Sequence, residues 1–334
     1  MLSDLLGIGA GEAGYTPAGL SLITAWYPRK LRGTMVGIFN TAQPLASFTG
    51  VAIAGWIAVQ WGWRSVFGIL AIPGLILAVL MLFSPDYKSK KVEDGQVKVA
   101  KVSFWQVAKY CLTSPSLLLS YAGQAGATAW AIGGFGTWAP TFFGRNYNLD
   151  MAQAGVAVMI IGLVAAIGPF FGGRLSDLLI KRMPNGRPWA AIACLVGGLV
   201  FWFISLILVL QGMPIGVVGT FWALGNLCFA GHWGMAITIQ MELVPPHYRG
   251  LAQSFGAIVV LLPYVLTGPL TGTLSDYFKA GQTSAAAEAY GLNMALIIIL
   301  VFSLLITIGV YYAATRTIVR DLERLKAQGT YKLD

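Results

Sequence analysis

The sequence predicts an all-α, polytopic membrane protein, and three observations carry that reading. Of 334 residues, 57% are hydrophobic and only 10% are charged, against about 25% charged in soluble domains. The charges gather between apolar stretches of roughly 20 residues, the length at which a helix crosses about 30 Å of hydrocarbon. The basic residues, finally, fall on alternate breaks, as they do in a chain that threads back and forth through a bilayer. The same composition excludes a soluble enzyme.

Nine candidate spans follow, centred near Ala18, Ser47, Leu75, Ala127, Ile161, Gly198, Cys228, Val259 and Leu300, each bounded by charged or Pro/Gly-rich breaks. The longest break, 85–112, carries Lys88, Lys90, Lys91, Lys98, Lys101 and Lys109 and reads as a cytoplasmic linker. It separates 1–84, the last three helices of an N-terminal bundle, from 113–315, a six-helix C-terminal bundle. Residues 316–334 read as a cytoplasmic tail. Lys and Arg counted loop by loop give 19 on the linker's side and 3 on the other, Arg64, Arg145 and Lys279. Short cytoplasmic loops carry such an excess, so the linker and C-terminus are expected inside, in a plasma (inner) membrane. The net charge of +9 then expresses topology, not a nucleic-acid footprint. An odd number of spans puts Met1 outside, although the first 28 residues hold no Lys or Arg to form a signal peptide's basic region.

Internal repetition organises the spans. Pro28, Arg32 and Gly33 recur 217 residues later as Pro245, Arg249 and Gly250. The helix after each break carries a proline and a Thr-Gly pair: Pro44, Thr49 and Gly50, then Pro263, Thr267 and Gly268. Two parallel halves explain this. A shorter echo lies inside the second half, where Gly168-Pro169 and Gly173-x-Leu175-Ser176-Asp177 recur as Gly268-Pro269 and Gly272-x-Leu274-Ser275-Asp276, three helices on, as an inverted repeat would give. Carried backwards, the offset starts the first half about 100 residues, or three helices, before Met1. Twelve spans are therefore expected, of which nine are present.

The loop Gly172-Gly173-Arg174-Leu175-Ser176-Asp177-Leu178-Leu179-Ile180-Lys181-Arg182 resembles the G-x-L-(S/A)-D-x-x-x-(R/K)-R motif of the major facilitator superfamily. Trp61-Gly62-Trp63-Arg64-Ser65-Val66-Phe67 resembles that family's W-R-x-x-F at the start of its sixth helix, and Gly7 through Pro28 its fourth helix. Gly9-Ala10-Gly11-Glu12-Ala13-Gly14, Trp138-Ala139-Pro140 and the tail from Arg316 to Arg324 resemble spinster-like members. Gly37-Ile38-Phe39-Asn40-Thr41-Ala42-Gln43 and Trp26-Tyr27-Pro28 are similar to anion:cation symporters of sugar acids instead. The resemblance covers essentially the whole chain, less the family's first helix and its first-half copy of the Asp loop. It implies two helical bundles around a central cavity and a secondary active transporter that moves a small organic solute by alternating access, driven by protons. A spinster-like member would export amphipathic, lipid-like molecules; a symporter would take up sugar acids.

Candidate functional residues fall into three groups. Glu12 is the one acid well inside a predicted span, and a carboxylate in hydrocarbon costs about 2.5–3.5 kcal/mol, so it must face a wet cavity, pair or protonate. It and His232 are the proton-coupling candidates. Relatives tend to carry an arginine two turns before this glutamate, where Leu5 stands here. Asn40, Gln43, Gln124, Trp138, Asn226, Gln240 and Tyr264 are polar groups at membrane depth, which line cavities or bond neighbouring helices. Gly173, Arg174, Asp177, Lys181 and Arg182, with Arg32 and Arg249 at the repeated breaks, read as a gating loop. Asp177, four residues before Lys181, can hold a basic group or cap a neighbouring helix, a latch that breaks when the halves rock.

Other chemistries find little support. Gly7-x-Gly9-x-Gly11 lacks the strand a dinucleotide loop needs, and no phosphate-binding G-x-x-x-x-G-K-[ST] motif occurs. Cys111, Cys194 and Cys228 lie far apart without ligand spacing, so no metal or cofactor is expected. A polytopic membrane enzyme would need several acids or histidines at one depth. The remaining rival is a truncated, transport-incompetent fragment of a carrier. The expected partners are the solute and membrane lipids, with no nucleic acid.

Overall fold

A computed structural model describes residues 15–83 and 103–327, and among them every regular element is a helix. They group into two compact units, residues 15–41 with 103–327, and residues 42–83. In chain order the helices are α1 (Tyr15–Trp26), α2 (Arg29–Trp61), α3 (Trp63–Met81), α4 (Phe104–Thr113), α5 (Pro115–Thr128), a π-helical segment (Ala129–Gly136), α6 (Thr137–Tyr147), α7 (Met151–Ala165), α8 (Gly168–Ile180), α9 (Gly186–Leu210), α10 (Ile215–Glu242), a 3-10 turn (Pro246–Tyr248), α11 (Arg249–Phe278) and α12 (Ala285–Ala327).

Each of the nine apolar centres lies in a helix, but only six described stretches are long and apolar enough to cross a bilayer. They are Arg64–Met81, Gln153–Ile180, Gly186–Leu210, Ile215–Glu242, Pro246–Phe278 and Ala285–Leu325. The first stretch is described only as a 12-residue helix, and many side chains of the 33-residue α2 lie outside the described residues. The stretch around Ala127 is three segments end to end. There Gly133, Gly134 and Gly136 favour a π segment, and Pro140 lies inside the first turn of α6, where it lacks an N–H to donate.

The breaks have ordinary chemistry. Pro28 separates α1 from α2, and Gly62, at φ 81°, turns the chain between α2 and α3 in a conformation that side chains resist. Left-handed Asn148 stops α6. Asp150 opens α7 with a capping box: its carboxylate accepts the Gln153 amide at 2.8 Å while the Gln153 side chain accepts the Asp150 amide at 3.2 Å.

The end of the stretch read as linker is an amphipathic helix. α4 starts at Ser103, whose amide donates to Gln106 Oε1 at 3.2 Å, and buries Val107, Ala108 and Cys111 against its neighbours α5 and α11. The Tyr110 hydroxyl donates to the Leu243 carbonyl at 2.7 Å. Burial pushes that hydroxyl up to about 12, so it stays a protonated donor at any physiological pH.

Aromatic rings fill the core of the larger unit. Trp130 and Phe135 of the π segment meet Trp202 of α9 and Trp222 of α10, with centroids 5.5 Å apart for Trp130 and Trp202 and 3.7 Å for Phe135 and Trp222. α9 and α10 approach over Gly225, where a Cβ would lie 2.5 Å from the Trp202 ring. Contact of this kind, not water exclusion, holds helices together in lipid. In the smaller unit α3 exposes Phe67, Ile72, Leu75 and Leu80, an apolar surface all round that suits lipid and protein neighbours rather than water.

Candidate functional site

The motif at 173–177 lies on α8, and glycine brings it against the start of α2. A Cβ on Gly173 would collide with the Gly33 carbonyl, and one on Gly37 with the Pro169 carbonyl, so only bare backbone lets these helices touch. Asp177 uses that proximity. Its Oδ1 accepts the Gly33 amide at 3.1 Å, and its Oδ2 accepts both the amide and hydroxyl of Thr34 at 2.7 Å. A buried carboxylate at the opening turns of a helix is favoured by the helix dipole and by charge-assisted bonds.

The same Oδ1 accepts Arg187 Nη1 at 3.0 Å. Arg187, at the start of α9, is 1% exposed, and all five of its N–H groups are used. Nε and Nη2 make a two-pronged pair with Glu242 at 3.0 Å each, Nη1 also donates to Ser176 Oγ at 2.8 Å, and Nη2 donates to the Arg29 carbonyl at 2.7 Å. Glu242, the last residue of α10 and 1% exposed, accepts a further bond from Arg29 Nε at 3.3 Å. Two acids and two arginines thus balance to zero net charge in a buried site that joins α2, α8, α9 and α10. Pairing is what makes such burial tolerable, because an unpaired ion there would cost several kcal/mol, on the order of 3–5; among these groups Arg29 Nη2 alone is buried without a hydrogen-bond partner.

The other residues expected to form the gating loop divide by exposure. Arg249 is buried; its Nε donates to the Met241 carbonyl at 3.1 Å and its Nη1 to Thr24 Oγ1 of α1 at 3.1 Å. Arg32, its counterpart in the repeat, donates to the Tyr27 carbonyl at 3.1 Å. Both close the carbonyl end of the preceding helix. Arg174, Lys181 and Arg182 are exposed. The basic partner of Asp177 is Arg187 and not Lys181, because the carboxylate turns inward toward α2 and α9 while Lys181 stays at the surface.

Among the described residues, the polar groups at depth do not converge on one point. Gln240 Nε2 donates to Gln124 Oε1 at 2.7 Å, tying α10 to α5. His232 is fully buried in the larger unit, its Nε2 2.9 Å from the Tyr311 hydroxyl of α12 and its Nδ1 without a partner. Asn40 donates to the Val36 carbonyl of its own helix at 2.7 Å. Trp138 Nε1 donates to the Gly268 carbonyl at 3.0 Å, and Tyr264 lies on the same seam, where its carbonyl faces Gly133. Asn226 is half-buried on α10. Glu12 and the Gln43 side chain lie outside the described residues.

Glu242, Arg187, Arg29 and Thr34 are functional candidates that motif reading misses. Arg187 counts in sequence only as one more basic residue on a basic face, and Glu242 as an acid at a span end. Asp177 and Glu242 are both buried acids within helices. The available signal was Glu242 itself, an acid directly after 27 helical residues without charge.

Comparisons with known proteins agree with this architecture. The family model described as Major Facilitator Superfamily matches residues 5–268. The "Probable galactarate/D-glucarate transporter" of Bacillus subtilis is 28% identical over 195 residues, 52% of this chain and 42% of that protein. Protein spinster homolog 3 of Danio rerio is 25% identical over 293 residues, 81% of this chain and 57% of that protein. The chain therefore spans about half the length of the curated relatives it matches. Among solved structures, a bacterial homologue of the human lysosomal transporter Spinster, inward-facing and unoccupied, aligns with a TM-score of 0.60 at 21% identity, covering 94% of this chain and 77% of that one. That likeness speaks for the fold.

Proposed function

Because the chain belongs to the major facilitator superfamily, we propose that it works as a secondary active transporter, moving a small organic solute by alternating access and driven by protons. In this reading the nine apolar stretches are nine spans of a twelve-helix plan in the plasma membrane. Residues 85–112 and the tail 316–334 lie in the cytoplasm, between and after the bundles 1–84 and 113–315.

One observation carries the reading: the buried cluster of Asp177, Arg187, Glu242 and Arg29. Its α2 members belong to the N-terminal half, and its α8, α9 and α10 members to the C-terminal half. A neutral, internally paired cluster that spans the two halves at one end of the bundle is a latch. Closed, it seals that end; opening it exposes two buried carboxylates and two guanidinium groups to water, which solvates them and keeps the cost of opening finite. Arg249 and Arg32 hold the helix ends on either side. Glu12 and His232 are the proposed proton carriers, and Gln124, Gln240, Asn40, Gln43, Asn226, Trp138 and Tyr264 the proposed cavity groups.

Two substrate classes compete. The names of relatives favour a sugar acid such as galactarate or D-glucarate, and the spinster-like likeness favours an amphipathic, lipid-like molecule. Uptake of labelled D-glucarate into proteoliposomes under an inward proton gradient decides between them. Uptake abolished by an uncoupler supports the sugar-acid reading. Flux of a lysophospholipid without D-glucarate uptake supports the lipid-like one. No gradient-dependent flux of either would overturn both.

A further inference from the structure

The latch leaves unused a second charged feature, at the junction of α4 with α5 and the end of α12. α4 is amphipathic, and its outward stripe is Trp105, Lys109 and Leu112, at i, i+4 and i+7. Trp105 is 78% exposed and Leu112 58%; Lys109 is exposed beside them. In water such a stripe would waste two large apolar side chains. At a bilayer surface the indole sits at headgroup level, the leucine enters the acyl boundary and the lysine reaches the phosphates.

The neighbouring surface is basic. Arg316, Arg320 and Arg324 recur at i, i+4 and i+8 on α12, all exposed. Between the end of α4 and this stripe opens a cavity of about 200 Å³ lined by Tyr110, Thr113, Ser114, Pro115, Asp321, Arg324 and Leu325. It is smaller than the roughly 300–1,000 Å³ of pockets that enclose a whole small molecule. Its one acid is already engaged: Asp321 Oδ2 accepts the Ser116 amide at 3.1 Å, and Oδ1 lies 3.8 Å from Arg324 and 4.0 Å from Arg320. Ser114, the N-cap of α5, makes no capping bond with its side chain, so its hydroxyl remains for a ligand.

We propose that this junction binds an acidic phospholipid, with the headgroup phosphate held by Arg324, Lys109 and the Ser114 hydroxyl and the acyl chains following Trp105 and Leu112. Charge complementarity selects this occupant. A basic recess next to an interfacial aromatic suits an anionic headgroup that arrives with its own apolar tail, and clustered Lys and Arg at a membrane surface favour acidic lipids.

The test is native mass spectrometry of the purified full chain in detergent, titrated separately with phosphatidylglycerol and phosphatidylcholine. Phosphatidylglycerol is expected to bind at least tenfold tighter. Each basic residue near a membrane surface contributes about fivefold, so K109Q/R324Q should lose on the order of 25-fold and approach the phosphatidylcholine level. K181Q/R182Q, which removes the same charge from another exposed loop, should bind phosphatidylglycerol as the parent does. Equal affinity for the two lipids would overturn the proposal, as would equal losses in the two double variants. Displacement of phosphatidylglycerol by inorganic phosphate would assign the site to a soluble anion and overturn the lipid assignment. All four substituted side chains are exposed, and size-exclusion profiles check that the variants fold.

Discussion

The pentapeptide Gly-x-Leu-Ser-Asp occurs at 173–177 on α8 and again at 272–276 on α11, and the two copies meet opposite fates. Asp177 is buried, accepts the Gly33 and Thr34 amides and pairs with Arg187. The Asp276 side chain is 71% exposed and pairs with Lys279, the residue that caps the end of its own helix, at 2.8 Å. Gly173 faces the main chain of α2, whereas Gly272 faces the ring of Trp138. The same motif thus sits in a buried ionic cluster in one place and on an exposed helix end in the other. The difference lies in what stands opposite: a helix start with free amides and a buried arginine, or solvent.

The largest effect should come from removing the cation at the centre of the first copy. Arg187→Gln leaves Asp177 buried without a counter-ion and Glu242 with Arg29 alone, and should cost about 3–5 kcal/mol, read as a collapse in folded yield and thermal stability in detergent. Lys279→Gln, the corresponding change at the second copy, should leave both as they are. If the two variants melted alike, the contrast between the copies would be gone.

Next come the glycines. Gly173→Ala pushes a methyl group into the Gly33 carbonyl and should force α2 away from α8, with about 1–3 kcal/mol of strain. Gly272→Ala places its Cβ 3.0 Å from the Trp138 ring, a side chain that can tilt, so its loss of thermal stability should be smaller. The opposite ranking in melting temperature would mean that α2 is not seated as described.

Asp177→Asn keeps shape but loses the charge, leaving Arg187 to Glu242 alone, and should cost about 1–3 kcal/mol. Its sharper readout is access: a cysteine at Thr34, buried here, should react faster with a membrane-impermeant maleimide once Asp177 is neutral. Asp276→Asn, the smallest change, should alter neither that labelling rate nor the melting temperature. An unchanged rate in both variants would deprive Asp177 of any role in holding α2.

These contrasts also mark what sequence can and cannot carry here. Periodicity and charge placement located helices at all nine apolar centres, because hydrophobic runs and Pro/Gly breaks act locally. The motif pointed to Asp177 and to a capping or pairing role. It did not point to Arg187 or Glu242, which stand 55 residues apart and meet only when α9 and α10 pack. Lys181, next in line by spacing, is at the surface instead. His232 attracted attention as a rare histidine at depth, yet the partner that defines it, Tyr311, comes from α12, 79 residues away. The π segment escaped notice as well. Its glycines look like packing residues, and only the helix around them shows that they also widen a turn.

A direct test of the latch is distance measurement by pulsed electron paramagnetic resonance between spin labels at Lys30 on α2 and Lys181 after α8, both exposed, in the full chain in nanodiscs with Cys111, Cys194 and Cys228 replaced by serine. A latch that opens during transport predicts a short distance population matching the joined helices and a second, longer one, with Asp177→Asn shifting weight to the longer. A single short distance, identical with and without Asp177→Asn, would make the cluster a permanent brace and contradict its role as a gate.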